Sequence, residues 1–334
     1  MVECEMPKIS EKDRRCAIFI DEMAIKEGEV WDASAKRFIG KTTFPPHQGL
    51  AKKALVIMIA HLATRYKYAV AYYFTSSSAK KRERDADLPN EVGEALRDIV
   101  LEVIRRGEGI GLLIDAVISD MGPDNQAMWK AFGIICKAWQ NEVICSIPHP
   151  MRPSDKLWFM PDPMHLAKNV LSMLSSNKVV LLSDADVVEE NLDDNEVNLE
   201  HLKDLVTYEN AFELKVAFRL KEENLENLGH FKKMKVGTTR SVFNKRTEVA
   251  LRMQASETGV RNSATTFFVS LVSEWFSTVS NRTLQMALGK RDPDEYNRRL
   301  DVLRKIIKVF RRMKIGEKGN RKPIQTGMLN IGKT

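Results

Sequence analysis

The chain has 334 residues, 43% hydrophobic and 29% charged, a balance that excludes wholesale disorder and fits about two domains. Lys and Arg number 52 against 45 Asp and Glu, a net charge of +7, which favours polyanionic partners without naming one. Cys4, Cys16, Cys136 and Cys145 form no C-x-x-C pair and no zinc-spaced cluster, so a disulfide scaffold and a structural zinc are both poor readings. No apolar run approaches the roughly 20 residues that span a bilayer, and the first twenty residues lack a signal-peptide stretch. The expectation is a soluble intracellular protein with no membrane partner.

In chain order, Cys16–Ile20 is a short apolar run ending at Asp21, the pattern of a buried strand. Glu22–Glu29 reads as helical or turn-like. Val30–Trp31 and Arg37–Ile39 suggest strands joined by a turn at Asp32–Lys36. Ala51–Arg65 fits helix or strand, with Val56–Ile59 favouring strand, and Tyr68–Thr75 is a clearer strand rich in aromatic and branched residues. The stripe Val92, Leu96, Ile99, Val100, Val103 predicts a helix over Asn90–Arg106 that stops at Gly107. Gly111–Ile118 is a further strand ending at Ser119–Asp120. Gly122–Asn125 is a turn offering an N-cap to a helix over Gln126–Gly133. Short strands at Val143–Ile147 and Leu157–Met160 precede Asp162-Pro163 and a helix at His165–Leu174.

The charge then becomes uneven. Asp184–Glu200 holds eight acids and no Lys or Arg, and reads as a solvated, mobile connection. Beyond it, Leu199–Leu205, Asn210–Arg219, Phe243–Met253, Ser263–Thr278 and Arg298–Arg312 read as helices, the last amphipathic. From Asn281 to Thr334 there are fifteen Lys or Arg and five acids, a net of 15 − 5 = +10. That basic tail has the density of a nucleic-acid contact, and its apolar stripe also suits docking. Lys80–Arg84 is a basic loop, open between a solvated loop, a phosphate contact and a nuclear address. Arg240, Lys245, Arg246 and Arg252 could serve phosphates or solubility alone. Trp129 and Trp139 are read as core.

Two carboxylates, Asp21 and Asp120, end predicted neighbouring strands, and convergent carboxylates are what Mg²⁺ needs. Strand-ending Asp residues also cap helices and make turns, and spacing alone does not choose. Three blocks in fixed order change the weighting: F-I-D-E-M at Asp21, S-D-x-G-x-x-N-Q at Asp120, and D-P-M-H-L-A-K-N from Asp162. Together they resemble the P-element transposase family and its THAP-associated relatives, over about Ile9 to Gly327.

The resemblance implies an α/β ribonuclease-H-like domain, a mixed sheet flanked by helices, followed by a mainly α-helical insertion domain. Boundaries follow at 1–173 for the first part, 174–280 for a GTP-binding-type insertion, and 281–334 for a basic helical continuation. It implies Mg²⁺-dependent DNA cleavage and strand transfer, with Asp21 and Asp120 as catalytic metal ligands. Asp115 and Asp124 fit the motif less well. It also implies GTP as an organising ligand contacted by Asp162 and Lys168; the sequence has no P-loop on which such binding could be based. His165 is read as a packing or hydrogen-bonding residue. DNA is the implied partner, the nucleus the implied location, and a homo-oligomer is compatible with the family. The family's third ligand, a Glu in a D-x-x-E-x-x-F block, has no match, and Glu274 sits in a helical stripe instead. No N-terminal zinc domain is found either. The sequence therefore reads as a transposase core cut at both ends, with a catalytically silent DNA- or protein-binding remnant as the alternative.

Overall fold

The computed structural model describes residues 10–76, 88–135, 143–175, 179–225, 236–281, 288–290, 292–317 and 320–323. The chain forms two compact units, dividing at Asp162/Pro163. The helix that follows Asp162 thus belongs with the second unit.

The first unit is built on a six-stranded sheet. Its strands are β1 (Arg15–Ala24), β6 (Lys53–His61), β7 (Lys67–Thr75), β8 (Leu113–Ser119), β9 (Ser146–Pro148) and β10 (Lys156–Pro161), with two small hairpins, β2 (Val30–Asp32)–β3 (Arg37–Ile39) and β4 (Lys41–Thr43)–β5 (Pro46–Leu50), between β1 and β6. The sheet order is β7-β6-β1-β8-β10-β9. β1 pairs antiparallel with β6 and parallel with β8, and β10 is parallel to β8. Alternation along β1 sends Cys16, Ile18 and Ile20 to one face. There they pack with Ile57, Val117 and Phe159 against helices α1 (Leu88–Gly109) and α2 (Pro123–Ala131), through Leu96, Val100, Met128 and Trp129. Trp129 is therefore core, as its sequence position suggests; Trp139 and Lys80–Arg84 lie outside the described residues.

Several expectations change. Glu22–Glu29 is not helical: β1 continues to Ala24, because Glu22 is held by Lys53 and by the Thr75 hydroxyl on neighbouring strands. Helix α1 runs past Gly107 to Gly109. Helix α2 starts at Pro123 with Gly122 as N-cap and no side-chain cap, so Asn125 is released for another task.

The second unit contains α3 (Pro163–Leu174), β11 (Val179–Leu181), α4 (Asp184–Glu189), β12 (Glu196–Val197), α5 (Leu199–Glu209), α6 (Val236–Val242), α7 (Lys245–Thr258), α8 (Ser263–Ser280), α9 (Pro293–Arg312), β13 (Lys314–Glu317) and β14 (Asn320–Pro323). Helix α8 is its axis, buried on most sides through Phe268, Val272 and Trp275. A four-stranded antiparallel sheet, β12-β11-β13-β14, accompanies the helices.

The acidic segment is not a solvated connection. It folds as α4 and β12, with Asp186 only 2% exposed. Asp186 pairs with Arg312, Glu189 with Lys308 and Glu190 with Lys305, while Asp194 accepts the Ala264 N–H at the start of α8. Opposite charges that lie in separate stretches of the sequence are thus each other's partners. Asn210–Arg219 is not a helix either. Its backbone turns around the buried Glu209 carboxylate, which accepts the Val216 and Ala217 N–H groups.

Candidate functional site

Asp21 does not end its strand, yet it marks where β1 leaves β8. In the parallel ladder Ile20 lies opposite Ser119, so Asp21 and Asp120 are the residues that follow the last pair of these two neighbouring strands. On the other side of β8, Pro161 also lies opposite Ser119, and the Asp162 N–H donates to the Ser119 carbonyl at 2.8 Å. Three aspartates therefore occupy one row across β1, β8 and β10. Ile20 and Ser119, one residue earlier, point into the face packed by α1 and α2, where the Ser119 hydroxyl accepts the buried Trp129 indole N–H at 3.1 Å.

Asp120 is fixed by its own loop. Its Oδ1 accepts the Gly122 N–H at 2.9 Å and the Asn125 amide at 2.6 Å, an Asx-type turn that continues into α2. A Cβ on Gly122 would sit 3.0 Å from that oxygen, tight enough that a larger residue would push the carboxylate by a few tenths of an ångström. Gly and Asn of the S-D-x-G-x-x-N block are thereby explained: both orient one carboxylate. The spacing carries that signal, although in sequence Asn125 reads as part of a cap. Asp21 Oδ1 accepts the Glu22 N–H at 2.8 Å and is exposed.

Asp115 is excluded from this row. It is the extra residue of a bulge in β8 opposite Cys16/Ala17, and its carboxylate is held by Arg15 at 2.7 Å and Arg152 at 2.9 Å. Asp124 sits in the first turn of α2. Among the described residues no group of three or more His, Cys, Asp or Glu is close enough to hold a metal ion.

The family described as TNP-like, RNase H N-terminal domain, matches residues 1–133. The Transposable element P transposase of Drosophila melanogaster is 21% identical over 327 residues, covering 96% of this chain and 37% of that protein. The solved Drosophila P element transposase strand transfer complex matches with a TM-score of 0.68 at 19% identity, over 99% of this chain and 67% of that one. The chain is similar in sequence to a P element transposase and shares its fold. It spans about 37% of the length of the curated relative it matches.

The two residues expected to contact nucleotide fall in different units. Asp162 closes the first, and Lys168 lies half-buried on α3 in the second. His165 is half-buried on the same helix. The other basic candidates have internal partners. Lys245 and Arg252 both bind the buried Glu248, Arg246 lies 4.6 Å from the Phe218 ring centre, and Arg240 lies 5.5 Å from that of Phe276. Glu274 is exposed on α8. No helix among the described residues is long and apolar enough to cross a membrane.

Proposed function

We propose that this protein carries the DNA-processing chemistry of a P-element-type transposase: Mg²⁺-dependent cleavage of DNA phosphodiesters and transfer of the strand. The observation that supports it is the row formed by Asp21 and Asp120 at the end of the β1–β8 ladder, with Asp120 held by Gly122 and Asn125.

The donor set fits the ion. Two carboxylates suit one hard cation that keeps several waters. Asp120 accepts two N–H donors, which fix its orientation before any ligand arrives. A bound Mg²⁺ would supply Lewis-acid stabilisation of phosphate charge and a lowered pKa for an attacking water or hydroxyl. The protein's part is positioning: backbone register sets the carboxylate spacing, Asn125 and Gly122 set the angle of one of them, and the Glu22 N–H steadies the other.

GTP as an organising ligand, contacted by Asp162 and Lys168, is proposed on the D-P-M-H-L-A-K block, together with DNA as partner and a nuclear location. A nicking assay on plasmid DNA with Mg²⁺ or Mn²⁺ tests the central reading. Cleavage lost in Asp120→Ala and in Asp21→Ala supports it. Absence of cleavage under both metals, with a folded sample that still binds DNA, would favour the catalytically silent alternative.

A further inference from the structure

A groove of about 600 Å³ runs along the outer edge of the six-stranded sheet, between residues 37–43 and strand β7. It is a built feature. Gly40, at φ 126°, reverses the chain between β3 and β4, and a Cβ there would fall 2.1 Å from the Gly28 carbonyl oxygen. The far wall is tied down where the Phe44 N–H donates to the Phe74 carbonyl at 3.1 Å and the Phe74 N–H to the Thr43 hydroxyl at 2.8 Å.

The lining has an unusual chemistry. Its charged residues are Arg37 and Lys41, with no Asp or Glu among them. Lys41 shares Glu29 at 3.4 Å across a solvent-exposed pair, weak enough to exchange for a phosphate. Two rings stand in water beside these cations, Phe38 at 66% and Tyr72 at 55% exposure. Neither is loose: Trp31 meets Phe38 edge-on at 5.2 Å and Phe74 meets Tyr72 at 5.6 Å. Braced rings beside purely basic charge match a polyanion with flat apolar faces, which is an unpaired nucleic-acid strand. A duplex hides its base faces, and an acidic peptide has no use for stacking platforms.

The groove also leads to the carboxylates. Tyr72 lies opposite Val56, and Val56 lies opposite Asp21. Residues directly opposite in a sheet share a face, so Tyr72 stands on the face of Asp21, two strand spacings or about 10 Å away. We propose that this groove holds one unpaired DNA strand, bases against Phe38 and Tyr72 and phosphates at Arg37 and Lys41, and guides it toward Asp21 and Asp120. The choice of DNA and the destination of the strand rest on the proposed function; the stacking groove does not.

The test is fluorescence anisotropy of the full chain with labelled oligothymidylate and with a duplex of equal length, in buffer without divalent metal. Phe38→Ala and Tyr72→Ala should each weaken single-strand binding about tenfold with unchanged circular dichroism and thermal midpoint, while Phe38→Trp retains it. Arg37→Gln should lower the magnitude of the salt slope by about 0.7. Single-strand binding indifferent to both rings overturns the proposal. So does tighter duplex binding that is equally indifferent, or an extended peptide that occupies the edge of β7 without competition from oligothymidylate. If the ring variants lose strand binding and no cleavage is found, the groove stands and the nuclease reading falls. If cleavage depends on Asp120 but not on the rings, the nuclease reading stands and the groove falls.

Discussion

Asp120 carries more of its own setting than its partner Asp21 does. Its turn, its glycine and its asparagine lie within five residues, so a local change reaches the site without disturbing the sheet. Asn125→Ala removes the 2.6 Å contact to Oδ1 and leaves the Gly122 bond in place. Groups that orient metal ligands are worth about 10–100-fold in affinity or activity. A loss of that size in Mn²⁺ affinity by calorimetry, with an unchanged thermal midpoint, is the expected outcome. At the other end of the same strand pair, Cys16 is fully buried. Burial, then the nearby charges of Asp115 and Glu108, push its thiol from an ordinary 9.0 up to about 12. Above pH 9 the unfolded chain releases this proton while the folded chain keeps it, so stability present below pH 9 is lost as pH rises toward 12. Urea unfolding between pH 8 and about 10.5, within that window, should show a fall that is shallower in Cys16→Ala. Alkylation mapped by mass spectrometry should mark Cys16 only in denaturant.

At the scale of elements, the decisive partnership in the second unit is α4 with α9. Asp186 is buried and its carboxylate meets Arg312 at 3.2 Å, so Arg312→Ala strips a buried acceptor of a charged donor and should cost about 1–3 kcal/mol by urea unfolding. Lys305 and Lys308 are more exposed, and their pairs with Glu190 and Glu189 are each worth about 0–1 kcal/mol. Replacing both by Gln should shave stability slightly and leave the salt slope of DNA binding unchanged, because these charges already face carboxylates; a slope reduced by one or more would return α9 to the nucleic-acid surface. The same elements show what the sequence could convey. Apolar runs such as Cys16–Ile20 and Val56–Ile59 announce the central strands, because burial on a sheet is written in composition. The polar end of β1 is not so written: Glu22 is strand only because Lys53 and Thr75 meet it from afar. Strands of two to four residues, such as Glu196–Val197 and Lys314–Glu317, leave no periodicity to read. The site is half legible. The Asp21 and Asp120 blocks are visible as motifs, whereas the row they share with Asp162 and Tyr72 exists only through register.

For the molecule as a whole, the division at Asp162/Pro163 has a thermodynamic consequence. The first unit rests on a sheet core through Ile18, Ile57 and Phe159, and the second on the helical core around Phe268 and Trp275. Units with separate cores unfold as separate cooperative blocks, so differential scanning calorimetry of the full chain should resolve two transitions. That separation makes the proposed nucleotide contact testable without any enzymatic readout. Lys168 belongs to α3 of the second unit, so a ligand held by it acts on the transition of that unit. At a hundredfold excess over Kd, binding stabilises by about 2.7 kcal/mol, which for a block of roughly this size raises the midpoint by about 5–10 °C. GTP should therefore move the transition assigned to the second unit by that amount, and Lys168→Ala should abolish the movement while leaving both transitions in place without nucleotide. The assignment itself comes from the Arg312→Ala variant, which lowers only the second unit's midpoint. Asp162→Asn separates the two halves of the proposal: if Asp162 also contacts the nucleotide, the variant reduces the shift, and a full shift in its presence confines the contact to Lys168. No shift with GTP at millimolar concentration, in a chain that shows both transitions, would remove GTP from the function proposed for this protein.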